Sequence, residues 1–287
     1  MRLKGQNYQY EFDINDPIRQ RGKNGVVWKG FCLENQNNVI IKWHKTTPHF
    51  KPTHIHDSIQ YLIEEITIDS KVFRIYNYIE GVDLQSIFED LDKKWKNTQF
   101  IVEKWIQTLE VLDIIHQNKL LHTDIKLSNI LYDVVTDSIK LIDLDSAQHY
   151  PLEKTPQRAY IFSSPEQYLG YKELMGPWSD IFSTGICFYS LIKRELPYPL
   201  THPALIEQKQ LAFALNNIDN IKADLNQIFQ KCCLKPSFPI PPLQNTHEGN
   251  IKPIIENITK RYTTCQDLIS DLRKLDLRET KKWYQIW

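Results

Sequence analysis

Residues 120–145 read LLHTDIKLSNILYDVVTDSIKLIDLD, and the fold turns on this stretch. Two short runs rich in aliphatic and β-branched residues flank a polar turn at Val135, Thr136 and Asp137, so the sequence predicts two short strands here. Ahead of them His122, Asp124, Lys126 and Asn129 form H-x-D-x-K-x-x-N, and Asp143 follows the second strand. Chemically this set offers a carboxylate to orient an attacking hydroxyl and a lysine beside it. It also offers an amide oxygen and a second carboxylate, the oxygen ligands that a hard divalent cation prefers. Asp124 and Asn129 could each serve as plain turn or capping residues, but their joint spacing favours the chemical use.

Working outward, the preceding residues 97–117 carry apolar side chains at Phe100, Ile101, Trp105, Leu109, Leu112 and Ile115, which predicts a long amphipathic helix. Upstream of residue 80 the chain favours strands, at 25–33, 38–44, 63–68 and 71–79, separated by polar turn clusters. Residues 45–61 hold Pro48 and Pro52 and leave room for one short helix. Downstream, residues 178–193 are apolar almost all round and predict a helix buried at the centre of a larger unit. Residues 224–233 and 263–275 repeat the helical period. Between them, residues 236–253 contain Pro236, Pro239, Pro241, Pro242 and Pro253 with little periodicity, and read as a long exposed loop.

Composition sets outer limits. The 287 residues carry 35 Lys+Arg against 35 Asp+Glu, so there is no global basic field for nucleic acid or an anionic membrane. Hydrophobic residues at 41% and charged residues at 24% are ordinary globular usage. The five cysteines are scattered without C-x-x-C spacing, which favours buried reduced thiols over a disulfide framework or zinc ribbon. His44, His49, His54 and His56 crowd one region, but no further ligand at a standard spacing supports zinc. Residues 1–16 show no apolar leader, and no apolar run is long enough to span a bilayer, so the expectation is a cytoplasmic protein with no nucleic-acid or membrane partner.

On the H-x-D-x-K-x-x-N set and Asp143, the chain resembles the eukaryotic-type Ser/Thr protein kinase family, whose catalytic loop is H-R-D-x-K-x-x-N and whose metal segment is D-F-G. The resemblance recurs in order along residues 10–275. Val39, Ile40, Ile41 and Lys42 are similar to the V-A-I-K strand, and Gly22, Gly25 and Val27 to the end of the phosphate-covering loop. Residues 76–81, including Asn77 and Tyr78, are similar to the interlobe hinge. Ser164-Pro165-Glu166 is similar to A-P-E, Asp180 and Gly185 to the D-x-W-x-x-G start of a central helix, and Arg261 to the late arginine that pairs with the A-P-E glutamate.

The resemblance implies an α+β, two-lobed protein-kinase-like fold over residues 1–287, with a small β-rich lobe over about residues 1–79 and a larger, mainly α-helical lobe over 80–287. It implies ATP with Mg²⁺ (Mn²⁺ as a substitute) as cofactors and Ser/Thr hydroxyls of a protein substrate as acceptors, with autophosphorylation at Thr155 or Ser163. Lys42 would grip the phosphates, with Gly22, Gly25 and Val27 covering them, and the hinge at Asn77 and Tyr78 would hold adenine. Asn129 and Asp143 would hold metal, Asp124 would orient the hydroxyl and Lys126 would stabilise the transferred group. His122, Glu166, Asp180 and Arg261 would be structural.

Four positions depart from the family pattern. Gln20 replaces the first loop glycine, Thr123 the arginine before the catalytic aspartate, and Asp145 the glycine of the metal segment, where it could add a ligand or restrict the segment. No glutamate lies between residues 45 and 63 to pair with Lys42, which leaves Asp57 as the carboxylate at that place. Two other readings follow from these departures: a kinase-like scaffold without turnover, and a small-molecule or lipopolysaccharide-sugar kinase, whose D-x-D metal segment residues 143–145 also resemble.

Overall fold

Alternation of apolar and polar side chains builds the first third of the chain into one antiparallel sheet. A computed structural model of the protein describes residues 1–20, 25–46, 48, 50–90, 93–156, 161–198 and 211–277. The strands are β1 (Arg2–Lys4), β2 (Gln9–Phe12), β3 (Arg19–Gln20), β4 (Gly25–Cys32), β5 (Asn38–His44), β6 (Leu62–Ile68) and β7 (Lys71–Asn77). They run in the order β1-β2-β4-β5-β7-β6, with β3 paired to β4. Side chains alternate across a strand, so Ile41, Phe73 and Ile75 join Tyr10 and Trp28 in a core on one face. On the opposite face Ile40 and Tyr76 pack with Val27, and Lys42 lies directly across from Arg74. That second face is where the site is built.

The rest of the chain is mainly helical. A short strand β8 (Val82–Asp83) leads into α1 (Leu84–Glu89) and then α2 (Thr98–Gln117). The Asn97 side chain caps α2 by accepting the Phe100 N–H, satisfying one of the donors a helix start leaves open. β9 (Leu120–Leu121), β10 (Ile130–Asp133), β11 (Ser138–Leu141) and β12 (Gln148–His149) follow, then α3 (Pro165–Leu169), α4 (Pro177–Lys193), α5 (Ala223–Cys232), α6 (His247–Ile258) and α7 (Cys265–Arg273). α4 is buried nearly all round, as its composition predicts. It packs on α2 through Trp105, whose ring stacks between Phe188 at 5.7 Å and Phe229 at 5.0 Å. The Trp105 indole N–H donates to Thr184 Oγ1 at 3.0 Å, so this aromatic centre leaves no polar atom of Trp105 unpaired. Gly185 lets α5 come close: a Cβ there would lie 2.5 Å from Cys233 Sγ and 2.7 Å from Cys232 Sγ.

Two expectations are corrected. No helix forms among the described residues of 45–61; they are irregular, with a turn at Asp57 and Ser58 and a bridge from Ile59 to Leu141. Its backbone is satisfied by neighbours instead, with Leu141 N–H donating to Ser58 O and Gln60 N–H to Leu141 O. Residues 236–253 are not one loop, because α6 begins at His247 with Thr246 as its cap and carries Pro253 inside it. There the burial of Asn250, Ile254 and Ile258 along one face outweighs the proline. All five cysteines are buried and free. No described helix is long and apolar enough to cross a membrane.

Candidate active site

The loop after β9 is shaped by a carboxylate from another element. Asp180, in the first turns of α4, accepts the backbone N–H of His122 and of Thr123, each at 2.9 Å, one on each oxygen. Thr123 is thereby held in the left-handed region at φ 63°, a conformation that costs a non-glycine residue about 1–3 kcal/mol. Its Oγ1 donates to Ser146 O at 2.8 Å, and its carbonyl accepts from the Gln167 amide at 2.6 Å. His122 is fully buried, with its ring against the Ile142 carbonyl at 3.1 Å. These contacts fix the backbone immediately ahead of Asp124.

There Asp124 Oδ2 accepts from Lys126 Nζ at 2.6 Å and from Asn129 Nδ2 at 3.0 Å. Asn129 Nδ2 also donates to the Asp124 carbonyl at 2.8 Å, which fixes the amide so that its oxygen points the other way. That oxygen, Asn129 Oδ1, is buried and has no hydrogen-bond partner. A buried acceptor left open is costly, and an oxygen of this kind beside a carboxylate suits a divalent cation. Such a carboxylate is offered by Asp143, which follows Ile142, whose N–H donates to the Asn129 carbonyl at 3.1 Å; Asp143 is buried and held left-handed at φ 68° with its N–H on Gln60 Oε1 at 3.3 Å. The donor set therefore fits Mg²⁺.

Lys42, on β5, is buried and reaches this group from the sheet. Its Nζ lies 3.0 Å from Asp143 Oδ1 and 3.0 Å from Asp145 Oδ2, and 4.3 Å from the centre of the Tyr76 ring. Asp145 is a hub. Oδ2 also lies 3.3 Å from His44 Nε2, while Oδ1 accepts from the Tyr76 hydroxyl and lies 3.5 Å from Arg74 Nη1. Burial by itself would raise the Asp145 carboxyl, but the charge of Lys42, the neighbouring His44 ring and the bond from Tyr76 hold it well below the ordinary range. Gly25, at the start of β4, allows the sheet to turn beside Lys42: its φ is +154°, and a Cβ would lie 2.2 Å from Trp43 O. Val27 is buried beneath Ile40 and Tyr76. At the end of β7, the N–H of Asn77 donates to Tyr61 O at 3.2 Å, and its carbonyl accepts from Gln60 Nε2 at 3.4 Å. Tyr78 lies just beyond, with Lys29 Nζ over its ring.

The comparisons with known proteins bear directly on this arrangement. Residues 21–279 match the model of the protein kinase domain. The chain belongs to the protein kinase family. A probable serine/threonine-protein kinase, the KIN1 homolog of Enterocytozoon bieneusi, is 24% identical over 227 residues, covering 78% of this chain and 37% of that protein. A putative serine/threonine-protein kinase of Acanthamoeba polyphaga mimivirus, R436, is 31% identical over 142 residues, or 45% of this chain and 49% of that one. The chain thus spans less than half the length of these relatives. The solved structure of the Cydia pomonella granulovirus kinase PK-1 superposes with a TM-score of 0.67 at 16% identity, covering 91% of this chain and 93% of that chain. That likeness speaks for the fold.

Within the chain, Lys42 meets Asp143, Lys126 and Asn129 meet Asp124, and the Ile142 N–H on the Asn129 carbonyl at 3.1 Å joins the two groups. Glu166 and Arg261 also meet, at 2.8 Å and both fully or almost fully buried, with Ser179 Oγ donating to the other glutamate oxygen at 2.8 Å. Gly22 lies outside the described residues, as does the side chain of Gln20. Asp57 is not the partner of Lys42: it is exposed and pairs with His54 at 3.0 Å. The carboxylates that reach the ammonium are Asp143 and Asp145, and no helix among the described residues of 45–61 supplies another. Gln60 and Arg74 have no part in the sequence reading, and His44 and Tyr76 enter it only through the histidine cluster and as the first residue of the hinge-like stretch. The period-2 pattern of β5 and β7 was the available signal, since it places His44, Lys42, Arg74 and Tyr76 on one face.

Proposed function

We propose that this kinase transfers the γ-phosphoryl group of ATP to Ser/Thr hydroxyls of protein substrates. The observation that carries the reading is the open, buried Asn129 Oδ1 fixed beside Asp124, with the Asn129 carbonyl on the N–H of Ile142, the neighbour of a buried Asp143. Asn129 and Asp143 would hold Mg²⁺ or Mn²⁺, which supplies neutralisation of the phosphate charge that develops in transfer. Lys42 would bind the α- and β-phosphates, with Gly22, Gly25 and Val27 covering them. Adenine would meet the hinge at Tyr78, next to Asn77, whose own backbone groups are already engaged by Tyr61 and Gln60.

Asp124 would take the hydroxyl proton and aim the oxygen, while Lys126, already on Asp124, stabilises the transferred group. Catalysis of this kind is mostly positioning and electrostatics. The Ser/Thr preference rests on Lys126 and on the serine/threonine kinases among the relatives. Within the stretch from Asp143 to Glu166, autophosphorylation falls on Thr155, which is exposed, and not on Ser163, which is fully buried. Peptide mapping after incubation with ATP should place phosphate on Thr155; phosphate on Ser163 would contradict this.

The test is transfer of label from γ-labelled ATP to a generic basic protein, followed by phosphoamino-acid analysis. The wild type should yield phosphoserine or phosphothreonine, and Asp124→Asn should lower the rate by about 10²- to 10⁴-fold. Nucleotide binding without any transfer would leave a scaffold. Turnover of ATP with no protein label would point to a small-molecule acceptor.

A further inference from the structure

The structure assigns to Asp145 the positioning of Lys42 for the nucleotide, in place of a carboxylate carried by a separate helix; this rests on the phosphoryl-transfer reading above. The two oxygens of Asp145 divide the work. Oδ1 is anchored to β7 by the Tyr76 hydroxyl and by Arg74 Nη1 at 3.5 Å, and Oδ2 holds the β5 side chains Lys42 at 3.0 Å and His44 at 3.3 Å. The anchor is itself fixed. Arg74 is fully buried and donates to Glu65 Oε1 at 2.8 Å, to Phe50 O at 2.8 Å and to Pro48 O at 2.5 Å.

Lys42 has two carboxylates, and they are not equivalent. Asp143 stands with Asn129 in the donor set that suits a divalent cation, so its charge is shared when metal and nucleotide arrive. Asp145 already meets four side chains through its two oxygens, which suits it to hold the ammonium and not to ligate metal. Because Asp145 lies two positions after Asp143, the lysine and the metal segment are tied in one short piece of chain. A helix-borne glutamate can swing away with its helix. This partner can leave Lys42 only if the metal segment itself moves.

The test compares wild type, Asp145→Asn and Asp145→Gly, the last restoring the family's residue. Affinity for a fluorescent ATP analogue is measured in EDTA and in Mg²⁺, together with kcat and KM for ATP. Loss of a charge-assisted bond should weaken metal-free nucleotide binding by about 10- to 100-fold, and kcat should fall in both variants. In a Lys42→Met background, Asp145→Asn should change that affinity by less than about twofold, as expected when one contact links the two residues. Tyr76→Phe, which removes one anchor and no charge, should give a smaller loss in the same direction and serves if the Asp145 variants do not fold.

Three results would overturn the assignment. One is unchanged metal-free affinity in Asp145→Asn and Tyr76→Phe. Another is a raised Mg²⁺ requirement with metal-free affinity intact, which would make Asp145 a metal ligand. The third is an equal loss with or without Lys42, which would make its role structural. A wild type that transfers no phosphate, yet shows the coupled loss of nucleotide affinity, would sink the kinase reading and leave the assignment standing.

Discussion

Asp180 accepts three donors, the amides of His122 and Thr123 and the His116 ring at 3.0 Å. Burial would raise its carboxyl, but the bond and charge of His116, with help from His122, hold it below the usual value of 3.8. A carboxyl depressed by folding adds stability that is present above its unfolded pKa and is lost as pH falls through the folded one. Asp180→Asn should therefore cost about 3 kcal/mol near neutral pH, measured by urea unfolding. The deficit should shrink once the pH drops below about 4, where the wild-type carboxylate is also being protonated. A deficit constant across that range would show that the charge of Asp180 does not matter. Thr123 follows the same logic: it ties the loop to Ser146 O directly, with no arginine charge there for a phosphate to neutralise.

At the scale of elements, the irregular strap formed by residues 50–61 stands where the sequence left room for a helix. Arg74 pins it by the carbonyls of Pro48 and Phe50, and Glu65 balances the guanidinium from β6. Arg74→Met should lower stability by about 3 kcal/mol, since it strands buried acceptors and the Glu65 charge. Hydrogen exchange should rise in residues 50–61 and not in α2 or α4; uniform acceleration would mean that the strap is not pinned locally. The long helices and the catalytic loop were legible because their signals are local: the 3.6-residue period of α2, the apolar circumference of α4, and the fixed spacing from His122 to Asn129. The partner of Lys42 was not, because Asp145 lies 103 residues away and reaches it only when the sheet meets the metal segment. α6 is hidden for a different reason: Pro253 reads as a breaker, whereas the Thr246 cap and the buried side of the helix decide the outcome.

Across the whole molecule, the start of α3 is fastened to the segment between α6 and α7 by Glu166 and Arg261, with the guanidinium 5.5 Å from the Phe182 ring centre. Removing one member leaves a buried charge unpaired, so Arg261→Met alone should cost about 3–5 kcal/mol. Combining it with Glu166→Gln should cost less than the sum of the two single changes, read from chemical denaturation. Additive losses would mean that the pair is not coupled. The sheet delivers Lys42, α4 shapes the loop that presents Asp124, and the segment after β11 carries both Asp143 and Asp145. The most direct test of this division is a crystal structure of the chain with Mg²⁺ and a non-hydrolysable ATP analogue. The expected result is metal on Asn129 Oδ1 and Asp143, with Lys42 Nζ on the nucleotide phosphates while it keeps Asp145 Oδ2. Metal bound to Asp145, or Lys42 turned away to another carboxylate, would contradict it.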